Sequence, residues 1–185
     1  MSIFTIVFVL WGLSEVFLNR FFHSGKSDNK NQDKGTIIII WLSIAVSIAL
    51  GILSKLNIKL PIAHTSLIPY LGLTVLIIGM VIRTIAIITL GKFFTVDVTL
   101  RKDHKVIREG LYRIMRHPSY SGSLLSFFGF GISLNNWASL LCIMAPVTIA
   151  MLYRIKIEEK VLIEYFGSEY EEYKKTTYRL IPWIY

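Results

Sequence analysis

The residues best suited to chemistry cluster at 104–122, HKVIREGLYRIMRHPSYSG, where a basic, weakly hydrophobic stretch turns into an apolar run. Pro118 suits the first position of a helix, and the N–H groups that follow it lack intrahelical acceptors, so the turn His117-Pro118-Ser119-Tyr120 offers a site for an anion. His104 and His117 add side-chain donors, and Tyr112 and Tyr120 add hydroxyls. A second pair, Arg154 and Glu158, stands four residues apart on one helix face. It makes an ordinary surface ion pair, or Arg154 uses its planar fork to grip a carboxylate where the helix leaves a bilayer. Arg83 lies within an apolar run, about 10 Å from its end by helical rise. An arginine there either snorkels, pairs with Glu15, or lines a polar site in the bundle interior. The four histidines (His23, His64, His104, His117) lack metal-ligand spacing, and the single Cys142 rules out an internal disulfide, so no metal is expected. No G-x-G-x-x-G follows a strand pattern, which excludes the soluble Rossmann arrangement; a cofactor must lie among helices.

These residues need elements to hold them, and the composition says which. With 54% hydrophobic and 13% aromatic residues in 185, the chain carries more apolar surface than a small soluble domain buries, so the excess faces lipid. The net charge of +8 falls mostly in short segments between apolar runs, a membrane-side pattern rather than a nucleic-acid patch. Roughly 20 apolar residues cross about 30 Å of hydrocarbon, which predicts five spans. They run over 2–18, 36–54, 67–90, 119–134 and 137–153.

The loop at 19–35 holds Arg20, Lys26, Lys30 and Lys34, and 91–117 is the densest basic segment. Both are therefore expected in the cytoplasm, with the N-terminus outside and the C-terminus and active site inside. Gly72 and Gly79, seven apart on one face of the third span, let a neighbouring helix approach closely. Asn135 and Asn136 form the uncharged outer turn of a helical hairpin, and Pro146 is expected to kink the last span. Beyond it, 154–166 continues as helix, Gly167 caps it, and Ser168 with Glu171 reads as a capping box opening a short helix. The terminal LIPWIY is expected against the membrane interface or the bundle. The expected whole is an all-α integral membrane protein of about five helices in a single membrane domain, 1–185, with a C-terminal cytoplasmic cofactor pocket from 91–120 and 154–182.

GLYRIMRHPSYSG resembles the G-x-Y-x-x-x-R-H-P-x-Y-x-G signature of the isoprenylcysteine carboxyl methyltransferase family, integral-membrane enzymes that use S-adenosylmethionine. The likeness covers residues 79–182, including G-x-x-x-R from Gly79 to Arg83, R-x-x-x-E from Arg154 to Glu158, and the closing FGSEYEEYKK…IP pattern. Five spans is closer to prokaryotic than to eukaryotic members. The resemblance implies cofactor contacts at His104, Lys105, Val106, Ile107, Tyr112, His117, Pro118, Ser119, Tyr120 and Glu158. It places Arg154 on the acceptor carboxylate and Arg83 beside its approach. The tyrosines would stack on or hydrogen-bond to the nucleoside, and the turn at Pro118 would take the cofactor carboxylate. Asp97 stands where eukaryotic members tend to have an amide.

The implied reaction is direct in-line methyl transfer to a lipophilic or prenylated acceptor in the membrane lipid, without a general base, metal or nucleic acid. A phospholipid amine or small thiol is the alternative acceptor, because the signature lies on the cofactor side. A non-enzymatic lipid-binding protein is the alternative of another class. A sterol reductase, with a related H-P-x-Y pattern, needs more spans than this length allows.

Overall fold

The computed structural model describes residues 2–21, 35–96 and 104–185. His23 and Asp97 lie outside the described residues, as do 97–103 of the basic connection. The elements are α1 (Ile3–Phe21), α2 (Thr36–Asn57), α3 (Leu67–Leu90), two short 3-10 turns (Gly91–Phe93 and Gly110–Arg113), α4 (Pro118–Ser133), α5 (Trp137–Phe166) and α6 (Ser168–Thr176). Among the described residues, extended pairing is confined to one isolated bridge, Met115 with Tyr178.

Four helices are long and apolar enough to cross a membrane: Ile3–Phe21, Thr36–Asn57, Leu67–Phe93 and Trp137–Phe166. Their large side chains stay uncovered by protein at Leu13, Leu53, Leu56 and Ile88, as lipid-facing positions require. The chain is an all-α integral membrane protein. The fourth expected span is α4, with 16 residues, about 24 Å by helical rise. It follows α3 closely through paired glycines. A Cβ on Gly79 would stand 2.6 Å from the carbonyl oxygen of Gly122, and one on Gly122 would stand 2.6 Å from the backbone nitrogen of Arg83. Gly72 and Gly129 repeat this contact two turns away, so the stripe expected on α3 meets a matching stripe on α4.

The 30 residues of α5 extend about 45 Å, more than the roughly 30 Å hydrocarbon layer, so its last turns, with Glu158 and Glu159, project beyond the bilayer and Arg154 stands near its edge. The helix continues through Pro146. Asn136 caps its start by accepting from the Ser139 N–H at 3.0 Å, and Asn135 is tied to Ala63 in the α2–α3 connection. At the far end Gly167, with φ 56°, closes α5 by donating to Ile163 O.

The expected capping box is not formed. Gly167 is also the N-cap of α6, so Ser168 is already the first helical residue and makes no capping bond. One glycine turning the chain directly from helix to helix leaves no room for a separate cap. The core gathers Trp11, Leu76, Phe127, Phe130, Ile143 and Val147. Trp11 meets Phe127 edge-on at 4.8 Å and so seats α1 on α4.

Candidate active site

The C-terminal ends of α1, α3 and α5 and the N-terminal ends of α2 and α4 meet around one cavity. One wall is the run His104, Lys105, Val106 and Ile107; another carries Tyr112, His117, Ser119 and Tyr120. Arg83, Arg154 and Glu158 complete the polar lining. The membrane side is apolar, with Ile40, Trp41, Ile44 and Phe127. Pro118 does not line the cavity: it is fully buried at the start of α4, where its ring sets the first helical φ and leaves the neighbouring side chains to face inward.

Arg154 is buried, which rejects the surface ion pair. Its Nε donates to Tyr120 Oη at 2.8 Å, and Tyr120 in turn donates to Glu158 Oε2 at 2.8 Å. Tyr120 thus joins two residues that four-residue spacing alone would have paired directly. The rest of the Arg154 fork reaches Thr36 Oγ1 at 2.6 Å and the carbonyl of Val96. Arg83 combines two of the sequence readings. It pairs with Glu15 at 2.8 Å, donates to Ser123 Oγ at 2.5 Å and to Ser119 Oγ at 3.2 Å, and lines the cavity.

His117 is the N-cap residue of α4, yet its ring does not cap the helix. Its Nε2 lies 3.3 Å from Glu159 Oε1, and its Nδ1 3.9 Å from Glu158 Oε1. Glu159 is a residue the sequence reading missed. Its buried carboxylate also takes Arg116 Nε at 2.9 Å and Arg179 Nη2 at 2.6 Å. Arg116 reaches on to the carbonyls of Lys174 and Thr177, and its own N–H bonds Tyr178 O at 2.8 Å. The C-terminal segment is therefore laced to the R-H-P turn, with Leu180 O accepting from Ser121 Oγ at 2.6 Å. Leu180 is buried while Trp183 and Ile184 are exposed, so the terminal LIPWIY divides between bundle and surroundings.

Two aromatic features were also unforeseen. His104 packs on Phe93, at 5.0 Å, and meets Phe166 edge-on, at 5.8 Å, which gives that wall an aromatic surface. Tyr173 Oη donates to Tyr112 O at 2.6 Å and braces the loop from α6. Burial pushes the hydroxyls of Tyr112, Tyr170 and Tyr173 far above the ordinary phenol range, so all three are neutral donors at physiological pH.

The phospholipid methyltransferase family model matches residues 67–169, from the first turn of α3 into α6. That is more than half of the chain and holds most of the cavity's polar residues. The chain belongs to the phospholipid methyltransferase family. Its relatives bear out the resemblance to isoprenylcysteine carboxyl methyltransferases. A probable protein-S-isoprenylcysteine O-methyltransferase from Oryza sativa subsp. indica is 39% identical over 119 residues, 63% of this chain and 62% of the relative. Protein-S-isoprenylcysteine O-methyltransferase B of Arabidopsis thaliana is 39% identical over 115 residues, 61% of this chain and 58% of the relative. The chain thus spans less than two thirds of these relatives. A solved structure described as the eukaryotic intramembrane Ras methyltransferase, isoprenylcysteine carboxyl methyltransferase, aligns with TM-score 0.61 and 28% identity over 96% of this chain and 64% of that one. Membership of a methyltransferase family implies a methyl donor.

Proposed function

We propose that this family member transfers a methyl group from S-adenosylmethionine to the carboxylate of an isoprenylcysteine-like acceptor in the membrane. The observation that carries this reading is the cavity's division. A polar end of Arg154, Tyr120, Glu158 and His117 runs into an apolar membrane-side half. The residues fit the cofactor: the aromatic surface of Phe93, His104 and Phe166 suits a purine, and Glu158 is an acceptor for an ammonium or a ribose hydroxyl. When bound, S-adenosylmethionine supplies an electrophilic methyl group. Donor contacts are assigned to Lys105, Val106, Ile107, Tyr112, His117 and Ser119, with Pro118 shaping the turn that holds them.

On the acceptor side, Arg154 is fixed by Tyr120, Thr36 and Val96 and so presents a positioned positive charge to a carboxylate. Arg83, paired with Glu15, adds further guanidinium N–H groups toward α1. The prenyl tail lies against Ile40, Trp41 and Ile44. A carboxylate is already ionised and nucleophilic at neutral pH, so the protein's part is alignment and exclusion of water. Full-length protein in detergent, given methyl-labelled S-adenosylmethionine and N-acetyl-S-farnesylcysteine, is expected to form a base-labile methyl ester. Arg154→Ala is expected to lower that transfer by at least about 10²-fold, since it loses both charge and alignment. Label found instead on the nitrogen of phosphatidylethanolamine would overturn the carboxyl reading in favour of an amine acceptor.

A further inference from the structure

The cavity wall has two origins. The family match begins at residue 67, yet α1 and α2, which precede it, supply Leu18, Asn19, Ile37, Ile40 and Trp41 to the lining. α1 is otherwise a lipid-facing helix, with Val9, Leu10, Leu13, Val16 and Phe17 exposed. Its polar residues Glu15 and Asn19 are one turn apart and share a face, and both line the cavity. Glu15 is committed to Arg83. Asn19 Oδ1 is buried, and among the described residues no group donates a hydrogen bond to it. A buried acceptor left without a donor is destabilising and rare. A donor on a molecule bound in the cavity would satisfy it.

We propose that Asn19 is a specificity-determining residue that accepts a hydrogen bond from an amide N–H of the acceptor. This rests on the proposed carboxyl methylation. In an N-acylated or peptidyl S-prenylcysteine, the carboxylate is met by the arginine end of the cavity and the tail by the apolar wall. The remaining donor is the amide N–H, on the same carbon as the carboxylate. Asn19 lies one helical turn beyond Glu15, the partner of Arg83, and lines the same cavity. Acceptor choice would then be set by α1, outside the matched family region, while the donor side is set within it.

The test compares kcat/KM for N-acetyl-S-farnesylcysteine and for S-farnesyl-3-thiopropionate, which keeps tail and carboxylate but lacks the amide. Wild-type protein is expected to prefer the amide acceptor by about tenfold, the effect of one well-formed hydrogen bond. Asn19→Leu, close in volume, is expected to bring the ratio to about one, and Asn19→Ala serves if the leucine variant folds poorly. An unchanged ratio in a folded variant, or no preference in wild type, overturns the assignment to Asn19 while leaving carboxyl methylation standing. Wild-type protein that methylates neither compound overturns the carboxyl reading and this inference with it.

Discussion

Glu158 and Glu159 adjoin in sequence and serve different networks. Successive side chains on a helix point about 100° apart, so Glu158 faces the cavity and takes the Tyr120 hydroxyl, while Glu159 faces the tail and takes Arg116 and Arg179. His117 lies against both. The doublet was visible in the sequence, but only its first member matched a motif. A signal for the second existed in the Arg116-His117 doublet, which needs a buried anion as soon as the R-H-P turn is packed. Replacing Glu159 by Ala leaves two guanidinium groups without their carboxylate. The expected cost is about 3–5 kcal/mol, measured as a lower thermal-unfolding midpoint in detergent. S-adenosylhomocysteine affinity should weaken in the same variant, because His117 and the tail both lose their tether.

At the scale of elements, α3 and α4 are joined closely enough that their glycines set the position of Arg83. Adding a methyl group at Gly122 brings it against the Arg83 backbone nitrogen, an atom that cannot swing aside. Gly122→Ala is therefore expected to destabilise by about 1–3 kcal/mol through overpacking and to lower turnover by displacing Arg83. Gly12 is the control. It lies inside α1 with nothing within 4 Å of an added Cβ, so Gly12→Ala should stabilise by about 0.5–1 kcal/mol at unchanged turnover. Unfolding midpoints and turnover of the two variants separate close packing from helix propensity. Half of this contact was legible beforehand, in the spacing of Gly72 and Gly79. The partner stripe, Gly122 and Gly129, acquired meaning only once α4 lay alongside α3.

For the whole molecule, the alternation of the helices puts the α2–α3 connection and the Asn135-Asn136 turn at one end, joined by the bond from Trp137 N to Leu60 O at 2.9 Å. The cavity, α6 and the C-terminal segment lie at the other. The first end carries Lys55 and Lys59, whereas among the described residues of 91–117 alone the second carries Lys92, Lys105, Arg108, Arg113 and Arg116. We propose that the cavity end is cytoplasmic on this asymmetry. In a Cys142→Ala background, an impermeant thiol reagent applied to intact cells should label Lys59→Cys but reach Lys175→Cys only after permeabilisation. Both positions are exposed. Labelling of both before permeabilisation would refute this orientation.

The sequence alone determined where apolar runs cross, where Pro118 begins a helix, where Gly167 ends one, and which short signatures lie near one another on the chain. Those features depend on composition and on neighbours within a turn or two, so they are written locally. It did not determine that Arg154 would be bound by Thr36, 118 residues away, and it left the pairing of Glu15 with Arg83, 68 residues away, as one reading among three. Nor could it show that α1, which bears no signature, closes the cavity with Asn19. Such outcomes depend on how each helix is rotated about its axis and on how near its neighbours come. Packing fixes both, here through glycine stripes and the seat of Trp11, and only the tertiary structure expresses it.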